Sequence, residues 1–317
     1  MNTVLITGGA GFIGTHLMVR LAPSCRVSII DNFHRDALRF LGGAKPLSVT
    51  VNECDVLDSS RLPAAMEGVD TVFHLAAIAG VSSYYAQPAR TLEVNLLGTL
   101  NVVKAAVAAG VSRVVYLSSS EVYGSRAVRV TENTPASVGP VSDPRWVYAI
   151  SKLAAEQSVM HLCQAAGVAY TIVRPFNIYG PGQVGEGAIS NFCAAAAAGK
   201  PLVVYGDGTA VRAWCYISDF IDALVAVATA ESGRHRMFNI GNPRSVETSV
   251  GLAQRVCRIA GGGQITWKDV QRAEIDVRLP CIDEARSLVG YQPRVELDEG
   301  IGKTLEWFRT NSNGGGQ

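Results

Sequence analysis

The stretch TVLITGGAGFIG, residues 3–14, decides the fold. Its first five residues are apolar or β-branched and read as a short buried strand, and Phe12–Leu21 continues as an apolar helix. Between them Gly8, Gly11 and Gly14 stand in a GxxGxxG spacing. Glycines there permit a tight turn and let backbone amides, those of Phe12 and Ile13 among them, approach a pyrophosphate at the helix N-terminus. RVSIID (26–31) follows as a second strand ending in Asp31, with Asn32 next to it. A carboxylate at that point binds the adenosine ribose hydroxyls and repels a 2′-phosphate. The reading is therefore NAD and not NADP. Taken alone, Asp31 is also explained as a strand-end turn residue.

The pattern repeats downstream. LSVTVNECDV and TVFHLAA are two more strand-like runs, separated by a polar helical segment around Asp58–Met66. Asp55 and Val56 fall where the chain would contact adenine. Ala76, Ala77 and Ala79 are small enough for a ribose-nicotinamide to lie against the strand end. His74, alone at the end of an apolar strand, reads as a satisfied core residue. Gln87–Ala109 reads as one long helix, and Asn95 within it holds backbone near the site and is counted with the cofactor residues. Alternation continues through Arg113–Ser118, a helix from Tyr148 and VAYTIVRP. This order of elements predicts an α/β, doubly wound, Rossmann-type fold with a mainly parallel sheet.

The bulk numbers agree with a globular enzyme. The chain has 317 residues, 48% of them hydrophobic and 17% charged, with a formal net charge of +1. So balanced a charge gives no reason to expect nucleic acid or a membrane surface as partner. No apolar run reaches the length of a membrane span and no signal peptide is visible. The seven cysteines are scattered without a CxxC or Cys/His cluster, which points to a reducing compartment, the cytoplasm, and to no metal. The tail 311–317 reads as disordered.

The chemistry is expected between Ser118 and Lys152. Tyr148 and Lys152 stand four apart in a helical pattern and so share a face. A tyrosine with a reference pKa of about 10 is a poor base at neutral pH, and a nearby ammonium favours its phenolate. Ser119, at the end of the preceding strand, is placed to hydrogen-bond the same substrate oxygen. A packed tyrosine and a solvated lysine would explain YxxxK by itself. Its company decides otherwise.

With TGGAGFIG, Asp31, HLAA, SSSEVYG, YAISK and RPFNIYGPG in order, residues 2–310 resemble the extended short-chain dehydrogenase/reductase family. The resemblance implies NAD held nearly permanently, Tyr148 as base on the sugar 4-hydroxyl, Lys152 on the nicotinamide ribose and Ser119 as the catalytic Ser/Thr. It implies a nucleotide-sugar substrate, a UDP-sugar, contacted by Asn177, Asn191, Tyr205 and Arg212, with Ser82 and Tyr84 from the loop AIAGVSSYYAQPAR. An arginine such as Arg212 suits a pyrophosphate because its planar fork grips two oxygens. The expected division is an NAD-binding domain over 1–175, with returning segments within 210–245, and a smaller substrate domain over 176–310. The helix from Tyr148 is apolar nearly all round, which a homodimer would cover.

Ser119-Ser120-Glu121 sorts the members of that family. Simple 4-epimerases carry a small or hydroxyl residue at Glu121, and glucose-nucleotide 4,6-dehydratases carry Asp-Glu where this chain has Ser120-Glu121. Ser-Glu is similar to the pattern of UDP-glucuronate decarboxylases, and also of GDP-mannose 4,6-dehydratases, which prefer NADP. ASVGPVSDPRWVYAISK, with Pro144-Arg145-Trp146, and VRLPCI, which supplies Arg278, resemble the decarboxylases further, although Cys281 replaces their usual polar residue. The implied reaction is oxidation at sugar carbon 4 and decarboxylation of UDP-glucuronate, with Ser120, Glu121 and Arg278 in the catalytic set. The alternatives are a UDP-glucuronate or UDP-hexose 4-epimerase, a dehydratase, and a dinucleotide-sensing regulator without turnover.

Overall fold

A computed structural model gives the fold and describes residues 1–41, 48–269 and 275–311. Seven strands make the main sheet: β1 (Thr3–Thr7), β2 (Arg26–Asp31), β3 (Val49–Glu53), β4 (Thr71–His74), β5 (Arg113–Leu117), β6 (Ala169–Pro175) and β7 (Arg236–Ile240). Their order is 3-2-1-4-5-6-7, and every neighbouring pair is parallel. A parallel strand covered on both faces has no polar side to show, hence the apolar runs Val4–Ile6 in β1 and Val114–Leu117 in β5. Edge strand β3 is mostly exposed and correspondingly polar.

The chain builds outward from β1 to β3 and then returns to lay β4 on the other side of β1. Where the direction reverses, the loops after β1 and β4 part and leave a crevice at the carboxyl ends of the strands. One face of the sheet packs Leu17, Met18 and Leu21 of the Phe12–Leu21 helix with Leu224 and Val227 of the Ile217–Thr229 helix. The other takes Val102, Val103 and Ala106 from Gly98–Ala108, with Ala155, Val159 and Cys163 from Val147–Ala165. Each fully buried leucine or valine there contributes about 1.5–3 kcal/mol.

The long helix expected over Gln87–Ala109 forms as a continuous helical run over Pro88–Ala108, with one π-helical turn set inside it. Helices Val81–Ala86 and Pro88–Leu92 are followed by a π-helical turn, Glu93–Leu97, and only then by Gly98–Ala108. Pro88 has no N–H to continue the preceding turn and starts a new helix instead.

A second, mixed sheet runs Val246–Thr248, Val211–Ala213, Val277–Pro280, Arg126–Val130. Helices Ala188–Ala197, Ser249–Ala260 and Leu297–Asn311 enclose Ile189, Phe192, Leu252, Val256, Ile301 and Leu305, in a cluster continuous with the core beneath the main sheet. Asn311 closes the last helix and so is not tail, while 312–317 lie outside the described residues. Among the described residues no helix is long and apolar enough to cross a membrane.

Candidate active site

The crevice at the reversal has a volume of about 390 Å³ and is lined by Gly8, Gly11, Phe12, Ile13, Gly14, Asp31, Asn32, Asp55, Val56, Ala76 and Ala77. Gly8 has φ +69°, and a Cβ on it would stand 2.7 Å from the Ala76 amide nitrogen. No side chain caps the helix at Gly11, so its first-turn amides are open to an anion. Asp31 accepts hydrogen bonds from the amides of Ala10 at 2.9 Å and Phe33 at 2.8 Å, which fixes the carboxyl at the crevice edge. Burial raises its pKa and those two amides work against the rise. These residues fit an adenine dinucleotide.

Asn95 is not among the lining residues. Its side chain accepts from the Ile78 amide at 2.8 Å and donates to the Ile78 carbonyl at 3.0 Å and Ser151 Oγ at 3.1 Å. Ser151 in turn donates to the Tyr148 carbonyl at 2.7 Å. Asn95 therefore ties the loop after β4 to the Tyr148 helix. His74 is a core residue, bonded to Thr7 at 2.7 Å and Thr99 at 2.9 Å and held neutral by burial, its pKa lowered to about 3.

Tyr148 and Lys152 are both buried and both line the crevice. Lys152 Nζ donates to the Leu117 carbonyl at 2.8 Å and lies 5.8 Å from the centre of the Tyr148 ring. The expected electrostatics are reversed in this state. Burial pushes the phenol up to about 12, with the Ser119 hydroxyl working the other way. Burial also lowers Lys152 to about 7, opposed by Glu156. The lysine alone does not hold a phenolate, because the low-dielectric site penalises both charges.

Ser119 caps the 3-10 turn Ser120–Tyr123, its Oγ accepting from the Glu121 amide at 3.1 Å. The turn delivers Glu121 to two guanidinia, with Arg278 Nη1 at 2.6 Å and Arg145 Nη2 at 2.7 Å. The Arg145 contact is close but off the hydrogen-bond axis. Burial would raise the Glu121 pKa, and the two arginines outweigh it and bring it to about 2. Arg278 Nε and Nη2 are buried without a hydrogen-bond partner. Ser120 is buried at the start of the turn.

A second cavity of about 410 Å³ is lined by Asn191, Tyr205, Arg212 and Arg145. Arg212 donates to the carbonyls of Val211 at 2.9 Å and Ile275 at 2.7 Å. Three other expected sugar or nucleotide contacts are placed elsewhere. Tyr84 is buried, stacked on Tyr148 with ring centres 5.7 Å apart, and accepts from Arg145 Nη1 at 2.6 Å. Ser82 lies outside both linings, its amide bonded to Glu186 at 2.9 Å, while Val81 and Ser83 on either side line one cavity each. Asn177, at φ +44°, donates to the Ala213 carbonyl at 2.9 Å and knits the strands beneath the site.

Reading the sequence missed two arginines. Arg145 was visible only as a motif letter, because the 3-10 turn Pro144–Trp146 that aims it has no periodic signature. Arg35 lines the cofactor crevice and donates to Ser83 Oγ at 2.9 Å. A charged residue in a loop gives no signal of that kind.

The NAD dependent epimerase/dehydratase family matches residues 4–241, and the chain belongs to it. It is an NAD-dependent enzyme of that family. It is 33% identical to the UDP-N-acetyl-alpha-D-glucosaminuronate decarboxylase of Bacillus cytotoxicus, covering 98% of each chain. It is 34% identical to UDP-glucuronic acid decarboxylase 1 of Xenopus tropicalis, over 96% of this chain and 72% of that one. Among solved structures it is similar to the UDP-glucuronic acid 4-epimerase of Bacillus cereus in complex with UDP-glucuronic acid and NAD. That match has a TM-score of 0.88 and 26% identity and covers 97% of this chain and 99% of the other.

Proposed function

We propose that the protein oxidises UDP-glucuronate at sugar carbon 4 and then releases its carboxylate as carbon dioxide. The observation that carries this reading is the charge around Glu121: two buried guanidinia share one carboxylate, and two Arg278 nitrogens are left unmatched. A buried excess of positive charge is costly until an anion completes it. A uronic acid brings that anion, and a neutral hexose does not.

In this reading Tyr148, with Ser119 beside it, takes the proton of the 4-hydroxyl. The crevice residues hold NAD, with Asp31 at the adenosine ribose and Lys152 at the nicotinamide ribose. The chemistry NAD supplies when bound is a hydride acceptor for carbon 4 and a cationic ring that favours the phenolate. The ketone leaves the carboxylate β to a carbonyl, so electrons of the breaking carbon–carbon bond pass into an enolate. Tyr148 and Ser119 stabilise that enolate by donating hydrogen bonds. Glu121 positions the sugar, and Arg278 or a group beside it returns a proton to carbon 5 of the enolate. Asn191, Tyr205 and Arg212 hold the nucleotide in the second cavity.

We place the enzyme in the cytoplasm as a homodimer, with residues 1–175 and returning segments within 210–245 forming the NAD-binding domain and 176–310 the substrate domain. Leu92 and Leu97, 38% and 50% exposed, support a covered face beside the Tyr148 helix. A second reading, UDP-glucuronate 4-epimerase, is favoured by the likeness to the Bacillus cereus enzyme.

The test is to incubate the NAD-loaded protein with UDP-glucuronate, and in parallel with UDP-N-acetylglucosaminuronate, and to weigh the product. Loss of carbon dioxide from the first supports the proposal, and loss from the second alone moves it to the N-acetylated sugar. An unchanged mass with a new sugar means epimerisation, and loss of water means dehydration. A Tyr148→Phe variant as active as the parent overturns the mechanism.

A further inference from the structure

Behind Tyr148 and Lys152 lies a buried polar network that the steps above do not use. Glu156, one turn along the helix from Lys152, is 2% exposed. Its Oε1 accepts from Ser118 Oγ at 2.5 Å and Arg174 Nε at 2.8 Å, and its Oε2 from Arg174 Nη2 at 2.6 Å. Arg174 Nη1 donates onward to Tyr123 OH at 2.8 Å, and Tyr123 donates to Asn239 Oδ1 at 2.8 Å. The Asn239 amide is bonded to Glu132 at 2.7 Å.

The layout is specific. Ser118 and Tyr123 bracket the Ser119–Glu121 turn on its two sides, and both bond to the Glu156–Arg174 pair. Arg174 stands on β6, Asn239 on β7 and Glu156 on the Tyr148 helix, so one ion pair joins the turn, the helix and two strands. Stability alone does not call for such a pair, since packed apolar residues in its place are often neutral or stabilising.

We propose that Glu156 and Arg174 are positioning residues: they brace the Ser119–Glu121 turn against the Tyr148 helix and keep a negative charge one turn behind the Lys152 ammonium. The assignment rests on the proposed role of Lys152. Burial lowers that lysine, and Glu156 opposes the fall. The other groups around Lys152 bring no such help. His74 is neutral, and burial keeps the Tyr116 and Tyr148 phenols protonated. Around Glu156 stand Arg174, which cancels part of its charge at longer range, the Tyr123 hydroxyl, and Glu132 beyond Asn239.

The experiment reads the Lys152 titration in the cofactor-free protein by NMR of side-chain-labelled lysine, with Lys152→Arg assigning the signal. Glu156→Gln is expected to move that titration to lower pH, and Glu156→Asp to move it less in the same direction. In the NAD-loaded enzyme Glu156→Gln loses roughly tenfold or more in kcat with little change in KM. Its pH–rate profile falls away at lower pH than the parent's. Tyr123→Phe, which leaves the ion pair in place and frees the turn, also lowers kcat. A parental titration in Glu156→Gln overturns the charge role, and if that variant does not fold, a parental titration in Glu156→Asp does so. Parental kcat in Tyr123→Phe overturns the bracing. Because the titration needs neither substrate nor NAD, its failure is distinct from a failure of the proposed reaction.

Discussion

Arg145 and Arg278 take opposite oxygens of the Glu121 carboxylate, Arg145 within 2.7 Å of Oε2 and Arg278 within 2.6 Å of Oε1. One arginine comes from the turn before the Tyr148 helix and the other from a strand far along the chain. Removing the acid leaves both cations without their counterion. Glu121→Gln is expected to lower carbon dioxide release by about 100-fold or more and to cost about 3–5 kcal/mol of stability. The sign with pH follows from a pKa depressed to about 2 from 4.5. The pair's contribution is full above the unfolded value and is lost as pH falls through the folded one. Product analysis and a melting series in acid check both, and a parental rate removes Glu121 from the reaction.

Arg145→Met leaves Glu121 with one cation and erases the surplus. The KM for UDP-glucuronate is expected to rise by about tenfold, the scale of one charge-assisted contact. Competition by UDP-glucose, whose sugar carries no charge, is measured in the same assay and is expected to stay as it was. An equal loss for both sugars would mean that Arg145 holds the nucleotide and not the acid.

The buried Lys152 is expected to make the cofactor-free protein gain stability as pH rises. Its folded pKa, about 7, lies below its ordinary value of 10.5, so between those limits the unfolded chain binds the extra proton and stability rises with pH. The whole rise is at most about 5 kcal/mol for this group. Lys152→Met is expected to flatten that part of the curve. Denaturant titrations of parent and variant at several pH values, subtracted from one another, isolate it.

Asp31→Asn keeps a side-chain oxygen near the Ala10 and Phe33 amides and removes the charge. NADP, which the carboxylate repels, is expected to gain about tenfold in affinity, with NAD weakened by a similar factor. Equilibrium binding of both dinucleotides decides it, and an unchanged preference would place discrimination elsewhere.

The main sheet was legible because its signals are local. Three glycines between a strand and a helix, and an aspartate closing the next strand, each carry their meaning within a few residues. The helix bounds of Phe12–Leu21 follow from that turn. Gln87–Ala109 was legible as helical, but the π turn around Asn95 was not, because the composition stays helical throughout. The site was half legible. Tyr148 and Lys152 are fixed by spacing on one helix, but the protonation expected of them ignored how deeply both are buried. Tyr84, expected at the sugar, is stacked on Tyr148 and bonded by Arg145, contacts that no local pattern in the sequence signals.

The strand Arg126–Val130 leaves the Glu121 turn and pairs directly with Val277–Pro280, setting Ala127 opposite Arg278. Acid and counterion are 157 positions apart in the chain, and the pairing of the strand that follows the acid's turn with the strand that carries Arg278 brings them together. Anyone grafting this turn into a sibling enzyme to redirect its outcome would import the acid and leave its counterweight behind. The turn and the strand that carries Arg278 have to be transplanted together.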